Sequence, residues 1–175
     1  MARETHLTGV ERFFDDDEII VSKTDLKGNI TYANDVFLRI ASYTERECLG
    51  QPHSMIRNTE MPRCIFKLLW DTIEGGKEIF AYVVNRSKNG DHYWVLAHVT
   101  PSLDGSGNII GYHSNRRVPE RGVLNDTIIP LYKALLAEEN KHDDRKAGLQ
   151  ASFAMVVNLL KEKGVAYDEL VASLQ

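Results

Sequence analysis

Residues 83–95, VVNRSKNGDHYWV, join two β-branched and aromatic runs through the turn sequence KNGD, the pattern of a hairpin. Side chains alternate along a strand, so Val83 and Asn85 point one way and Val84 and Arg86 the other. On the next strand Tyr93, Val95, Ala97 and Val99 share an apolar face, opposite His92, Trp94, Leu96 and His98. If the apolar face looks inward, so does Asn85. A buried carboxamide left unpaired costs about 1–3 kcal/mol, so Asn85 must meet either neighbouring protein groups or a ligand. Carrying both donor and acceptor, it matches a heterocyclic edge that offers both, such as the imide side of a flavin ring. Ala97 and Gly111 on adjacent strands are small enough to leave room for a flat ring.

Two further residues raise the same question. On the third strand Ile109, Gly111, His113 and Asn115 fall on one face, and if that face is the inner one His113 looks into the same pocket; otherwise it is a satisfied core histidine. Arg57, in SMIRNTEMP, sits in a loop before a helix start, where a cation and free backbone N–H groups suit a phosphate; the alternative is a solvated surface arginine. No Ser-His-Asp order, catalytic carboxylate pair or nucleophile elbow can be placed, so the sequence reads as a binding protein and not an enzyme.

The elements that position these residues follow from periodicity. Residues 1–17 end in the acidic run DDD, with Leu7, Val10 and Phe13–Phe14 spaced for a short amphipathic helix. Two strands flank the turn Asp25–Asn29. Helical spacing runs from Asn34 to Gly50, with a capping box at Thr44 and Glu47, and another helix runs from Pro62 to Gly75. Three strands near 78–87, 92–102 and 108–117 form an antiparallel meander. This is an α+β domain with helices covering one face of its sheet. Residues 18–119 form that domain, 1–17 an amino-terminal cap segment, and 120–175 a helical tail. In the tail, Asn125 or Asp126 caps one helix and Asp144 the next, which Gly164 closes. The stripe Leu149, Phe153, Val156 and Leu160 must be buried against something. The strand face with Trp94 and Leu96 is too apolar to stay wet, so either the amino-terminal segment or a second chain covers it.

Composition narrows the classes. The net charge of −4 offers no footprint for nucleic acid, and the 43% apolar content supports a packed core. No run approaches the roughly 18 apolar residues of a membrane span, and the amino terminus lacks a secretory pattern, so a cytoplasmic protein without a membrane span is expected. Cys48 and Cys64 have neither CxxC spacing nor a histidine cluster, and helix packing accounts for both.

Taken in order, TDLKGNITYAND, YTERECLGQPHSMIR, EMP, LLW, VNRSKNGDHYWV, VTP and GYHSNRR resemble a PAS sensory domain over residues 15–120. The segments QPHSMIR, KNGDHYWV and LYKAL narrow the resemblance to the FAD-binding PAS domains of aerotaxis sensing. The resemblance implies the PAS fold, a five-stranded antiparallel sheet with helices forming a pocket that holds FAD noncovalently, ahead of FMN or haem. It implies a redox, oxygen or energy sensor in bacterial signal transduction such as aerotaxis or chemotaxis. The expected partners are a second copy in a homodimer and a downstream chemotaxis or kinase component. By the same resemblance Asn34, His53, Arg57, Trp70, Asn85 and Tyr93 line or support the flavin site. Asn58 and Glu60 stand where the aerotaxis type has histidine and aspartate. The strand VNRSKNG also resembles light-sensing LOV domains, but His53 stands in the segment where those carry their reactive cysteine. Two rival readings remain: a cofactor-free PAS module for dimerisation or docking, and a haem-based gas sensor using His53 or His113 as axial ligand.

Overall fold

The computed structural model describes residues 6–174. Strands β1 (Ile20–Thr24) and β2 (Ile30–Ala33) flank a turn that Asp25 closes by accepting the N–H groups of Lys27 and Asn29, both at 2.9 Å. Asn34 then begins α1 (Asp35–Ala41): its Oδ1 accepts the Phe37 and Val21 N–H groups at 3.0 Å, and its Nδ2 donates to the Ile19 carbonyl at 2.8 Å. One side chain thus caps a helix and pins a strand. Ser42 turns left-handed at φ 58° and stops α1, and a complete capping box at Thr44 and Glu47 starts α2 (Glu45–Cys48). A short 3-10 turn, His53–Ile56, leads to α3 (Arg63–Glu74), which begins after Pro62 and ends at Gly75. The meander of β3 (Ile79–Arg86), β4 (His92–Leu103) and β5 (Ile109–Arg117) completes one antiparallel sheet of order β2-β1-β5-β4-β3.

Register decides the faces, because opposed residues on antiparallel neighbours share a side. Asn85 opposes Tyr93, Val83 opposes Val95, Ala97 opposes Arg116 and Ser22 opposes Ser114. All of these lie on the inner face, beneath α1 and α3, whose Phe37, Ile40, Ile65, Leu69 and Ile73 are buried against the sheet. Each such side chain contributes about 1.5–3 kcal/mol. The edge of β2 is met by the loop at Gln51, where the Ile30 N–H donates to the Gln51 carbonyl and the Gly50 N–H to the Ile30 carbonyl, both at 2.8 Å.

The amino-terminal segment is extended instead of helical. Beyond the end of β5 the backbone of β4 still has unpaired groups, and residues 8–12 run parallel to it: the Thr8 N–H donates to Gly90, the His92 N–H to Val10 and the Arg12 N–H to His92. Satisfying sheet groups outweighs the weak helical period of Leu7, Val10 and Phe13. Asp91 locks the segment by accepting from Thr8 Oγ1 (2.6 Å), Arg12 Nε (2.8 Å) and Asn89 Nδ2 (2.8 Å).

The tail helix also starts earlier than Asn125. Glu120 caps α4 (Arg121–Val123) by accepting the Val123 N–H, and the chain passes through a π turn, Leu124–Ile128, into α5 (Ile129–Asn140). Pro130 has no N–H to give the preceding turn, and the wider π turn just ahead accommodates it. Helix α6 (Arg145–Lys163) is capped by Asp144 and closed by left-handed Gly164, as expected, and α7 (Tyr167–Ser173) follows. The buried line of α6 runs through Gly148, Ser152 and Val156, with Leu149, Phe153 and Leu160 half-buried beside it. A Cβ on Gly148 would lie 2.4 Å from the Glu139 carbonyl oxygen, so only glycine permits this crossing of α5 and α6.

The tail wraps the β3 side of the sheet. Tyr132 Oη donates to the Tyr82 carbonyl (2.6 Å), lies 2.9 Å from Tyr167 Oη, and its ring packs 6.0 Å from that of Trp94. Trp94 thus packs on the chain's own α5, a cover other than the two expected. On the other side Glu139, 3% exposed, ties the tail to α3 by accepting from Arg63 Nε (3.0 Å), the Cys64 N–H (3.1 Å) and Ser152 Oγ (3.0 Å). Both cysteines are free and buried in this packing. Among the described residues no helix is long and apolar enough to cross a membrane.

Candidate functional site

Between the inner sheet face, α3, the 3-10 turn and α6 lies a cavity of about 450 Å³. Its floor is Val83 and Asn85 from β3, Ala97 and Val99 from β4, and Ser114 and Arg116 from β5. Ile56, Phe66, Leu69, Trp70 and Ile73 form the apolar wall, and Trp70 stands edge-on to Tyr112 at 5.5 Å. A cavity of this size, with an apolar wall and several polar and cationic side chains on its lining, has the character of a small-molecule site.

Asn85 is 4% exposed and its carboxamide bonds no described residue, while its backbone bridges to Arg57. Arg57 is exposed at the mouth with its guanidinium 4.6 Å from the centre of the Phe66 ring. His53 brings its Nε2 to 3.1 Å from Ser22 Oγ, and burial together with the nearby Arg116 charge lowers its pKa to about 3, so the imidazole is neutral at physiological pH. His53, Arg57, Trp70 and Asn85 thus converge on one cavity.

Three expected residues are placed differently. Asn34 does not line the cavity, because its amide is used in capping α1 and pinning β1. Tyr93 also lies outside the lining; it is fully buried behind Asn85, its hydroxyl without a partner among the described residues. His113 borders the cavity, but its register with Thr100 and Lys23 puts its side chain on the outer face, where it meets Asn115 at 3.2 Å. The inward set of β5 is Tyr112, Ser114 and Arg116, the opposite parity from the one expected. Gly111 likewise makes no room for a ring: a Cβ there would sit 2.3 Å from the Thr24 carbonyl oxygen, so its role is close approach of β1. Asn58 is fully buried, its Oδ1 accepting the Glu60 N–H at 2.9 Å, which makes it a loop-closing residue.

Arg116 is the residue that the sequence reading missed. It is 1% exposed, donates through Nη2 to Ser22 Oγ and lies 5.2 Å from the Phe37 ring centre, yet Nε and Nη1 have no partner among the described residues. Burial lowers its pKa to about 10, which leaves it charged at neutral pH with no carboxylate to offset it. The whole lining repeats this imbalance: Lys27, Arg57, Arg63, Lys67 and Arg116 contribute cations, and no Asp or Glu is among the lining residues, in a chain of net charge −4. Among the described residues, Arg63 and Lys67 alone of these have carboxylate partners, Glu139 and Asp71. An unneutralised buried cation and an unpaired carboxamide on the lining of one cavity fit a ligand with electronegative ring edges and an anionic end. Among the described residues no cluster of histidine, cysteine or acidic groups could hold a metal ion.

Comparison with known proteins gives this geometry a family context. The model of the PAS domain family matches residues 16–114. The aerotaxis receptor of Escherichia coli (strain K12) is 44% identical over 123 residues, 70% of this chain and 24% of the receptor. The nitrogen fixation regulatory protein of Klebsiella pneumoniae is 29% identical over 99 residues, 57% of this chain and 20% of that protein. The matched region thus spans a quarter or less of these relatives. Among solved structures, the dark state of the blue-light photoreceptor Aureochrome1 LOV aligns with TM-score 0.54 and 25% identity, over 63% of this chain and 86% of that one.

Proposed function

Because the chain belongs to the PAS domain family, we propose that it is a sensory domain holding FAD noncovalently in the cavity and reporting a redox or oxygen signal. The similarity to an aerotaxis receptor supports a role in bacterial signal transduction of that kind, through contacts with a second copy and with a downstream signalling protein. The observation that carries the proposal is the inward pair of Asn85 and Arg116, one an uncommitted carboxamide and the other an unneutralised cation, on the floor of one slot.

In this reading His53, Arg57, Trp70, Asn85 and Arg116 hold the cofactor. Bound flavin supplies a ring that takes up electrons and protons and so changes the balance of donors and acceptors along its edge. Asn85 answers by turning its amide, which offers either a donor or an acceptor. Arg116 favours negative charge in the slot, and neutral His53 adds no second cation beside it. Ala97 leaves space for the ring, and Trp70 with Tyr112 screens it from water. Strand β3 passes the change on: Tyr82, three residues from Asn85, touches the tail through Tyr132, and the turn after Arg86 is clamped to the amino-terminal segment by Asp91. Two groups of contacts outside the cavity are thereby tied to one amide.

The test is the absorbance spectrum of the purified chain. Flavin bands that bleach with dithionite, and release of FAD on denaturation identified by chromatography, are the expected result. Colourless protein that takes up no added flavin overturns the proposal, and a Soret band replaces it with a haem reading.

A further inference from the structure

The cavity does not end at the sheet. Lys67 of α3 and Leu149 of α6 line it and also line a second groove of about 520 Å³ that runs along α6. The remaining wall of this groove includes Lys146, Phe153, Val157 and Lys161, which with Leu149 recur every three or four residues and form one helical stripe. Three lysines and no carboxylate line it. Lys67 bonds Asp71 at 2.6 Å and lies 5.1 Å from the Phe153 ring centre, while Lys146 and Lys161 have no ion pair among the described residues. The groove is held in place by the buried Glu139 hub and the tight crossing at Gly148.

Cations alternating with apolar and aromatic surface suit a ligand segment that alternates phosphates with a heteroaromatic base. At 1.5 Å per residue, Lys146 and Lys161 stand about 22 Å apart along the helix, which accommodates an extended nucleoside diphosphate. A single phosphate leaving the cavity meets only the end at Lys67 and Lys146. We propose that this groove takes the diphosphate and adenine half of a dinucleotide whose ring half occupies the sheet cavity, so that tail helix α6 supplies half of the binding site. The inference rests on the flavin reading of the cavity, and it assigns the tail a part in choosing FAD over FMN.

The experiment is a titration of the full chain, stripped of any bound flavin, with FAD, FMN and ADP, for the parent and for Lys146→Glu and Lys161→Gln. Lys146 lies in the first turn of α6, where a glutamate suits the helix dipole, so the fold is retained and thermal melts check it. FAD affinity is expected to fall about tenfold in Lys161→Gln with FMN affinity unchanged, while Lys146→Glu, at the end that both phosphates reach, weakens FAD more than FMN. A parent that binds FMN as tightly as FAD, or variants that leave the ratio of the two untouched, overturns the groove assignment and leaves the cavity reading standing. If neither flavin binds, the cavity reading falls and ADP alone decides the groove: binding that Lys146→Glu abolishes supports it, and no binding to the parent ends it.

Discussion

At the scale of residues, Arg116 and Asn85 are opposite kinds of commitment. Arg116 carries a charge that the protein alone does not neutralise, so replacing it with methionine is expected to raise the stability of the flavin-free chain by about 1 kcal/mol or more while lowering FAD affinity at least tenfold. Thermal melts with and without FAD read both changes, and a flavin-free Arg116→Met variant that melts lower than the parent contradicts the picture. Asn85→Ala removes an amide that bonds nothing among the described residues, so the melting temperature of the flavin-free chain should stay close to that of the parent while flavin content drops; equal flavin content in parent and variant rules Asn85 out as a contact. The direction of Asn85 was legible in the sequence because the face it shares with Val83, Tyr93, Val95, Ala97 and Val99 is the more uniformly apolar one, whereas the other face of β4 is interrupted by His92 and His98. That of Arg116 was not. Both parities of GYHSNRR mix polar with small or aromatic residues, and only the pairing of β5 with β1 and β4 turns Arg116 inward.

At the scale of elements, two carboxylates hold the additions to the sheet domain. Hydrogen bonds from Thr8, Asn89 and Arg12 lower the Asp91 pKa to about 2, below the roughly 3.9 of an unfolded aspartate. A depressed carboxyl stabilises the folded state fully above the unfolded value and loses that contribution as pH falls through the folded one. The amino-terminal segment should therefore release between about pH 4 and 2, seen as faster amide exchange over residues 8–12. Asp91→Asn should show fast exchange there already at neutral pH, with little further change on acidification. Glu139→Ala leaves the Cys64 N–H without its acceptor and removes the carboxylate shared by Arg63 and Ser152, which keep only the Arg145 and Leu149 carbonyls, and a loss of about 3 kcal/mol in denaturant unfolding is expected. Element types were readable from caps and period: the Thr44–Glu47 box, Pro62 and Gly75 around α3, Asp144 and Gly164 around α6. The amino-terminal segment and the start of the tail were not, because one depends on free groups of β4 and the other on how the chain accommodates Pro130.

At the scale of the whole molecule, the tail is part of the fold's closure. A chain ending after Pro119 would expose Trp94, Tyr82 and Val84, and light scattering is expected to show it forming larger assemblies than the full chain at the same concentration. The apolar stripe of α6 announced that a covering surface existed; which surface it was could only come from three dimensions. The same wrapping has a consequence for how any partner can engage the protein. Strand β3 is met at Asn85 by the Arg57 bridge and at Tyr82 by the tail tyrosines, and β2 at Ile30 by the loop at Gln51, so among the described residues each margin of the sheet is interrupted by the chain itself. An incoming strand would find no long uninterrupted run beside Asn85, Tyr82 or Ile30, which favours association through side chains over β-augmentation.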